Sequence, residues 1–377
     1  MGENHVISEI VSLYSLPFLL PHQIVGGFTR SASVEHASLP LNREGSIEKE
    51  HAPQRDSDGA RGRAPLWKQV RLPESPSPLS PSFPTRSSQM PPTPPSPAGR
   101  GSFSTHDGLT LYTQRWTPAR DARAIVLLVH GYAEHCGRYD HVAGTFVDQG
   151  AAVYAYDQRG HGRSEGPRAY VDRFEQYLAD LDLFRDFVQA RTPDVPVFLF
   201  GHSMGGLASL LYTLNYAPDL RGLLLSAPVI EIDPDLAPLL RELAQILGRL
   251  FPTLPTVRSS QGAISRDPAV VDEAENDPLN YTGRTLARTG AELLRAGEEA
   301  QSRLGELGTP FLVLHGTADP LATPAWSKRL YERAAATDKT LRLYDGLYHE
   351  TFNEPEQDTV LRDLGTWLAE RMLTPPQ

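Results

Sequence analysis

The chain has 377 residues, of which 22% are charged and 40% hydrophobic, and its formal net charge is -10. This length allows one large globular domain with further material beside it. The acidic balance argues against nucleic acid, and against anionic membrane surfaces, as the main partner. The single cysteine, Cys136, excludes an internal disulfide and favours a reducing, cytoplasmic compartment. No cysteines and histidines cluster at metal-ligating spacing, so we expect neither a metal nor another cofactor.

Residues 1–100 differ in composition from the rest of the chain. Prolines and serines dominate from Pro65 to Pro97, and such a segment can neither form hydrogen-bonded elements nor bury a core. We therefore expect a disordered extension over residues 1–100. It is either the product of a misassigned start codon, with Met90 as the true start, or a flexible tether or proline-rich ligand for a partner domain. The apolar stretch 7–28 is interrupted by Glu9 and prolines, so we expect no membrane span there, and it lacks a basic start, so we expect no cleaved signal peptide.

Residues 101–373 consist of predicted strands that alternate with predicted helices. A hairpin turn signal at 106–108 separates the first two strands. Further apolar strands are predicted at 125–129, 153–156, 197–200, 222–226, 311–314 and 340–344, and helices at about 139–149, 173–191 and 204–217. This alternation predicts an α/β fold, with a mostly parallel sheet that is covered by helices on both faces and opened by an antiparallel hairpin.

The alternation stops between about residues 229 and 305, where we expect an inserted helical cap. One helix there has an apolar face, formed by Leu236, Leu239, Leu240, Leu243, Ile246, Leu247 and Leu250. Because a leucine stripe usually belongs to a core, we expect most of it to pack on the body of the domain and part of it to line an acyl tunnel. A second cap helix is predicted from about 286 to 304.

A G-x-S-x-G turn follows the strand at 197–200, with Ser203 at its apex. In such a nucleophile elbow the serine has a strained backbone, and its hydroxyl projects above the sheet. Gly201 and Gly205 are required because a Cβ at either position would collide with a neighbouring strand or helix. We predict that Ser203 is a nucleophile; the alternative is an ordinary serine in a glycine-rich turn.

A serine nucleophile needs a general base that a third group orients. In this type of fold the order along the chain is serine, acid, histidine. Asp319 follows the strand at 311–314, and His349 follows the strand at 340–344. Because both lie on loops after buried strands and in the required order, we predict that Asp319 is the orienting acid and His349 the base.

Acyl transfer also needs two backbone N–H groups that bind the oxyanion. Met204, directly after the nucleophile, is one candidate donor. Tyr132, in the loop 130–139 after the strand at 125–129, is the other. In the same loop we expect Cys136 to be a small structural residue, and the alternative is an oxidisable thiol near the site.

Four further polar residues near the motifs are interpreted as mainly structural. Asp157 precedes the serine in the chain, so we expect it to brace its loop by hydrogen bonds to nearby backbone. His161 is expected to be structural, and the side chain of Glu350 is expected to face away from the base. His202 should also be structural, although its position next to the nucleophile makes it a candidate substrate contact.

Several segments together resemble the monoacylglycerol lipase family of α/β-hydrolases, and its bacterial members more closely than its animal ones. They include His-Gly-x-x-Glu-His-x-Gly-Arg-Tyr at 130–139, Asp-Gln-Arg-Gly-His-Gly-Arg-Ser at 157–164 and Gly-His-Ser-Met-Gly-Gly at 201–206. The remaining ones are 226–228, 264–267, 276–279 and 347–350. The resemblance covers about residues 101–373, including the cap.

This resemblance implies an α/β-hydrolase fold with an eight-stranded sheet, and hydrolysis of 1- or 2-monoacylglycerols to glycerol and a fatty acid. It also implies that Glu134 and Arg138 shape the pocket for the glycerol head group; the alternative is a salt bridge within their loop. One departure bears on selectivity for glyceryl esters. Ala274 aligns where relatives have a cap tyrosine that reaches the glycerol, and nearby Tyr281 is a possible substitute.

The predicted function is therefore a serine esterase that cleaves lipid monoesters through an acyl-enzyme. Within esterases, the alternatives are a lysophospholipase and a broad-specificity carboxylesterase. Outside them, the alternatives are a small-molecule receptor on the same fold that does not hydrolyse its ligand, and an interaction protein that works through its proline-rich segment. We expect a cytoplasmic protein that contacts membrane surfaces transiently through an apolar cap.

Overall fold

The computed structural model describes residues 97–192, 194–231, 238–258 and 261–372. The predictions made for residues 1–96, including the start at Met90, lie outside the described residues. The same holds for Leu236.

An eight-stranded sheet forms the centre of the described chain. Its strands are β1 (Gly99–Ser104), β2 (Thr110–Trp116), β3 (Ala124–Val129), β4 (Ala151–Tyr156), β5 (Val197–His202), β6 (Gly222–Ser226), β9 (Phe311–Gly316) and β10 (Lys339–Tyr344). They lie in the order β1-β2-β4-β3-β5-β6-β9-β10. The pairs β1–β2 and β2–β4 are antiparallel, and the other pairs are parallel. The predicted fold, a mostly parallel sheet opened by a hairpin, is confirmed.

Helices cover both faces of this sheet, because successive residues of its central strands point to opposite sides. In β3, Ile125, Leu127 and Val129 belong to one hydrophobic core, and Val126 and Leu128 to the other. The helices outside the long insertion are α1 (Asp140–Asp148), α2 (Glu175–Gln189), α3 (Met204–Tyr216), α7 (Pro324–Arg333) and α8 (Gln357–Met372). Side chains of α2, α3 and α7 fill the first core, and those of α1 and α8 fill the second.

The segment between β6 and β9 is the longest insertion in the sheet. It contains the helices α4 (Pro238–Leu250), α5 (Pro268–Asn276) and α6 (Ala287–Arg303), and the strands β7 (Pro255–Arg258) and β8 (Arg284–Leu286), which pair as an antiparallel ribbon. Helix α6 matches the predicted second cap helix, whereas α5 and the ribbon were not predicted. We call this insertion the cap.

The prediction that most of the leucine stripe on α4 packs on the body of the domain is wrong. Leu239, Ile246 and Leu250 are 74%, 53% and 62% exposed, and the other described leucines of the stripe are half-buried. Helix α4 instead approaches α6 through Gly248, where an added Cβ would lie 2.7 Å from Cβ of Ala291. Since Gly248 follows Ile246 by two residues, it lies on the opposite side of the helix from Ile246, and the exposed members of the stripe, Leu239, Ile246 and Leu250, face solvent.

Exposed apolar side chains continue beyond α4 in Phe251, Leu254 and Val257. None of the helices in the described ranges has both the length and the hydropathy needed to cross a bilayer.

Candidate active site

Ser203 lies between β5 and α3 with a φ of 54° and a ψ of -119°, a backbone conformation that non-glycine residues rarely adopt. Two glycines make this sharp turn possible. A Cβ on Gly201 would lie 2.4 Å from the carbonyl oxygen of Gly205, and one on Gly205 would lie 2.3 Å from that of His130. The predicted elbow, with its strained serine and its two close approaches, is therefore confirmed as a structural feature.

His349 lies on the loop after β10 and faces the serine. Its Nε2 is 2.8 Å from Oγ of Ser203. The loop reaches this position because it packs closely on the end of β9: a Cβ on Gly316 would lie 2.2 Å from the carbonyl oxygen of Leu347. Only glycine fits there, so the sequence of β9 helps to place a histidine that belongs to the loop after the next strand.

Asp319 lies on the loop after β9, on the far side of His349 from the serine. Its Oδ2 is 2.7 Å from Nδ1 of His349, and its Oδ1 accepts the backbone N–H groups of Leu321 at 2.8 Å and Ala322 at 3.1 Å. An ionised carboxylate only accepts, so Nδ1 of His349 donates, and its Nε2 is left to accept the Ser203 hydroxyl. The three predicted catalytic residues are thus brought into one series of hydrogen bonds.

The charges of this group oppose the effect of its burial. Burial disfavours the charged form of His349, but the charge and hydrogen bond of Asp319, with smaller contributions from Glu350 and Glu134, raise the His349 pKa above its ordinary value. Burial likewise opposes the ionised form of Asp319, but His349 and His315 hold its pKa well below the usual range. Asp319 is therefore an anion, and its charge favours the proton on His349.

The loop after β3 passes directly beside the nucleophile. A Cβ on Gly131 would lie 3.2 Å from Cβ of Ser203. Tyr132 follows in this loop, and Met204 is the first residue of α3, where no carbonyl of the preceding turn can accept its N–H. Neither N–H donates to a protein acceptor in the described ranges. Tyr132 is thus one residue from the contact between Gly131 and Ser203, Met204 directly follows Ser203, and their role as oxyanion donors stays a prediction.

Glu134 and Arg138 belong to a buried ion-pair network behind this loop. Arg138 donates through Nη1 to Oε2 of Glu134 at 2.8 Å, and through both terminal nitrogens to Glu350 at 2.7 and 2.8 Å. The other oxygen of Glu134 accepts the N–H of Gly131 at 2.6 Å and the hydroxyl of Tyr139 at 2.7 Å. The salt bridge within the loop is present, and the network includes Glu350, whose side chain pairs with Arg138 rather than with His349.

The other polar residues near the motifs have structural partners. Asp157 accepts the N–H groups of Cys136 at 2.9 Å and Arg163 at 2.7 Å, which confirms the predicted bracing of its loop. His161 is buried, with Nδ1 2.9 Å from the carbonyl oxygen of Arg159. Nδ1 of the buried His202 lies 3.2 Å from the Ser226 hydroxyl. Burial lowers the His202 pKa to about 4, so this neighbour of His349 is neutral at pH 7.

Cys136 is fully buried, and burial raises the pKa of its thiol well above the ordinary value. A buried and protonated thiol is a poor nucleophile, which favours the structural interpretation over the oxidisable one. Within the described ranges, no group of three or more His, Cys, Asp or Glu side chains is arranged to hold a metal ion.

The residues considered for glyceryl selectivity lie in and after α5. Ala274 is fully buried, and its carbonyl accepts Nδ2 of Asn280 at 2.9 Å. The hydroxyl of Tyr281 donates to the carbonyl of Arg284 at 2.8 Å, within its own turn. The backbone N–H of Tyr281 donates to the carbonyl of Ala133 at 2.8 Å, so this part of the cap is attached to the loop that contains Tyr132.

One residue beside the site was not singled out from the sequence. His315, in β9, is fully buried, and its Nε2 lies 2.9 Å from Oδ2 of Asp319. A histidine inside an apolar strand is more often structural than functional. The sequence feature that could have identified His315 is its position four residues before the predicted acid, across the turn that ends β9.

Comparisons with known proteins agree with this arrangement. A family model described as "Serine aminopeptidase, S33" matches residues 120–356. The monoacylglycerol lipase of Mycolicibacterium smegmatis is 38% identical over 271 residues, which cover 72% of this chain and 97% of that protein. The caffeoylshikimate esterase of Arabidopsis thaliana is 35% identical over 283 residues, which cover 72% of this chain and 85% of that protein.

A solved structure extends the comparison to the fold. The crystal structure of a monoacylglycerol lipase from Paleococcus ferrophilus matches with a TM-score of 0.63 at 32% identity, and the match covers 69% of this chain and 99% of that one. The family-model match at 120–356 includes the strands from β3 to β10, the elbow and the cap, and the named relatives agree with the resemblance seen in the motifs. The chain therefore belongs to the monoacylglycerol lipase family of α/β-hydrolases.

Proposed function

We propose that this protein hydrolyses monoacylglycerols to glycerol and a fatty acid, with Ser203, His349 and Asp319 as its catalytic triad. The observation on which this rests is the unbroken series of hydrogen bonds from Ser203 to His349 to Asp319, with the serine at a strained elbow beside two available N–H groups. The substrate class follows from relatives that are named as monoacylglycerol lipases.

The reaction proceeds through an acyl-enzyme. His349 Nε2 takes the hydroxyl proton as Ser203 Oγ attacks the ester carbonyl, and the developing oxyanion accepts the N–H groups of Tyr132 and Met204. The imidazolium returns its proton to the departing glycerol oxygen, and the ester bond to glycerol breaks. His349 then removes a proton from water, which attacks the acyl-enzyme and releases the fatty acid, and the proton returns to Ser203. Asp319 fixes the tautomer of His349 and stabilises its charged form throughout.

We assign Glu134, Arg138 and His202 to the polar wall of the head-group pocket. Glu134 accepts the N–H of Gly131 at 2.6 Å, directly before Tyr132, and thereby orients the loop of the oxyanion donor. The His202 ring lies with its centroid 4.8 Å from that of His349. Both carboxylate oxygens of Glu134 already accept hydrogen bonds from protein donors, so this side chain contributes to glycerol binding by shaping the wall of the pocket.

The domain limits are also part of the proposal. The expected hydrolase domain, 101–373, would begin inside β1 (Gly99–Ser104), so we place its start at Gly99 and keep the cap at about 229–305; the residues before Gly99 are an extension that takes no part in catalysis. The protein acts in the cytoplasm on a substrate dissolved in lipid.

The exposed apolar residues of the cap favour transient docking on a lipid surface. We define the cap surface as Leu239, Ile246, Leu250, Phe251, Leu254 and Val257, all of which are more than one-third exposed. Exposed arginines lie among them: Arg249 is in α4, and Arg258 and Arg284 are register partners in the β7–β8 ribbon. Two like charges directly opposite each other are unfavourable in isolation, and phosphate groups at a lipid surface would neutralise them.

The test is steady-state hydrolysis of 1- and 2-monooleoylglycerol, monooleoyl lysophosphatidylcholine and p-nitrophenyl butyrate by wild type and Ser203→Ala. We expect the monoacylglycerols to have the highest kcat/KM, and the variant to lose about 10⁴- to 10⁶-fold in kcat. Near-normal turnover by Ser203→Ala would contradict the mechanism.

One alternative function is favoured by a specific observation, namely Ala274 together with the hydroxyl of Tyr281, which is bound within its own turn. If glycerol has no partner in the cap, the enzyme would be a broad-specificity carboxylesterase. The similarity to a protein named caffeoylshikimate esterase agrees with that reading. Preference for p-nitrophenyl butyrate, combined with an inactive Ser203→Ala variant, would support it, while preference for the lysophospholipid would indicate a lysophospholipase.

A further inference from the structure

We propose that His315 is a positioning residue for the reaction, which holds the Asp319 carboxylate in place and sets the basicity of His349 through it. The inference rests on the proposed function, because it concerns the acid of the same triad. It arises from the contacts of a buried histidine that the mechanism above does not use.

His315 links three parts of the fold to the acid. Its Nε2 lies 2.9 Å from Oδ2 of Asp319 and 3.0 Å from the carbonyl oxygen of Ala322, and its Nδ1 lies 2.7 Å from Oγ of Ser327 in α7. The side chains of His315 and Ser327 are fully buried. β9, the loop with Asp319 and α7 are therefore joined by one imidazole ring from which water is excluded.

The partners determine which nitrogen carries the proton. A carboxylate and a backbone carbonyl can only accept, so Nε2 of His315 must donate toward Asp319 and Ala322. The hydroxyl of Ser327 can donate, and it satisfies Nδ1. Asp319 thus receives four donors: the backbone N–H groups of Leu321 and Ala322 on Oδ1, and the two histidines on Oδ2.

Sharing Oδ2 between two histidines has a consequence for catalysis. The N–H of His315 fixes the direction of the Oδ2 lone pair of Asp319 that accepts Nδ1–H of His349. It also withdraws part of the electron density of Oδ2. Removal of this donor leaves Oδ2 with one partner, which loosens the orientation of His349 and strengthens the attraction of the carboxylate for its proton. The turnover number should therefore fall, and the pKa of His349 should rise.

Other charged or titratable groups also influence the pKa of His349, so the variants must leave these residues unchanged. His202 approaches it from the end of β5, Glu134 and Arg138 lie in the loop after β3, and Glu350 is its neighbour on its own loop. None of the substitutions below touches these residues, so a change in the pH profile would come through Asp319.

The experiment compares wild type, His315→Leu, His315→Gln and Ser327→Ala, with kcat and KM measured on p-nitrophenyl butyrate and on 1-monooleoylglycerol across pH. Leucine removes the donor, whereas glutamine can place an amide N–H where Nε2 of the histidine lies. We expect His315→Leu to lose about 10- to 100-fold in kcat. Its KM should change little, and the acid limb of kcat/KM should move to higher pH. Glutamine should restore most of both properties, and Ser327→Ala should have an intermediate effect.

A matched control separates positioning from stability. Leu330 is also fully buried in α7 but has no polar atom, so Leu330→Ala weakens the packing of the same helix without touching Asp319. If Leu330→Ala, at a comparable loss in Tm, lowers kcat and moves the acid limb as much as His315→Leu does, the inference is overturned. A wild-type kcat and acid limb in His315→Leu would overturn it as well.

Ser203→Ala is measured in parallel so that two failures can be told apart. If Ser203→Ala is inactive and His315→Leu behaves as wild type, the proposed triad stands and only the role of His315 fails. If Ser203→Ala keeps its turnover, the triad itself fails, and the inference about His315 falls with it.

Discussion

The carboxyl ends of the sheet strands, which we call the edge, and the cap differ in how their side chains are partnered. At the edge, the hydroxyl of Ser203, both ring nitrogens of His349 and both oxygens of Asp319 have protein partners, and all three side chains are buried. In the cap, α4 turns Leu239 and Ile246 toward solvent. Proton transfer between fixed atoms needs a single geometry, whereas the lipid docking that we propose for the cap needs apolar side chains that stay exposed until contact.

The largest effect that we expect from breaking this geometry without changing the shape of the site comes from Asp319→Asn. The amide presents an N–H₂ where a carboxylate oxygen accepts Nδ1 of His349, so the base turns to the tautomer that cannot accept the Ser203 proton. We expect kcat to fall by about 10⁴-fold, with a much smaller change in KM.

The readout for Asp319→Asn is single-turnover acylation by p-nitrophenyl butyrate, with circular dichroism to show that the fold is retained. A loss of less than tenfold would mean that Asp319 does not orient the base. The neighbouring Glu350 would not be a substitute acid, because both its oxygens bind Arg138.

The buried ion-pair network tests how far the fixed geometry of the edge extends. Arg138→Met removes the cation between Glu134 and Glu350 and leaves both carboxylates buried without it. We expect a loss of about 3–5 kcal/mol in the free energy of unfolding at pH 7. Activity should fall too, because Glu134 also holds the N–H of Gly131.

This loss should depend on pH in a defined direction. Burial opposes ionisation of Glu350, but Arg138 lowers its pKa to about 2, so in the wild type the ion pair stabilises the fold above the ordinary pKa of 4.5 and is lost as pH falls toward 2. In Arg138→Met the carboxylate of Glu350 can take up a proton, and the difference from wild type should be smaller at pH 4 than at pH 7. Urea unfolding measures both values, and Arg185→Met, which breaks surface pairs only, should cost far less.

A smaller effect, tenfold per pH unit at most, is expected from titration of the base. The reaction needs neutral His349, and Asp319 raises the pKa of His349 above its ordinary value of 6.5. Activity should therefore fall as pH decreases through an apparent pKa above 6.5 in kcat/KM. The soluble substrate p-nitrophenyl butyrate avoids effects of the lipid surface, and an acid limb below 6.5 would show that burial outweighs the carboxylate.

Sequence patterns predicted the residues that meet at the edge much better than they predicted the packing of the cap, and the reason is physical. Ser203, Asp319 and His349 each follow a buried strand, and parallel strands bring their carboxyl ends to one edge, so chain order alone implied that these side chains would meet. His315 lies inside a strand and gave only the weak signal of its spacing from Asp319, because its proposed role depends on a turn that brings Asp319 back over β9 and on Ser327 from another helix.

The stripe on α4 failed as a prediction of burial for a different reason. A helical period shows that apolar side chains share a face but not what covers that face. Here α4 approaches α6 through Gly248, on the side of the helix opposite Ile246, and Leu239, Ile246 and Leu250 remain exposed. The position of a loop that follows a strand end can thus be predicted from the sequence, whereas the element that packs against an amphipathic helix cannot.

The smallest effect concerns that exposed face and is confined to substrate held in lipid. Ile246→Gln with Leu250→Gln removes two apolar side chains that are 53% and 62% exposed, so the fold should keep its stability. If the cap surface docks on lipid, loss of these anchors should reduce hydrolysis of monooleoylglycerol in vesicles by about tenfold and leave hydrolysis of soluble p-nitrophenyl butyrate unchanged. Tyr331→Gln, which alters an exposed aromatic residue outside the cap, is the control and should change neither rate. Equal losses on both substrates would place the two residues in the acyl path, and no loss on either would show that the cap works without a lipid contact at this face.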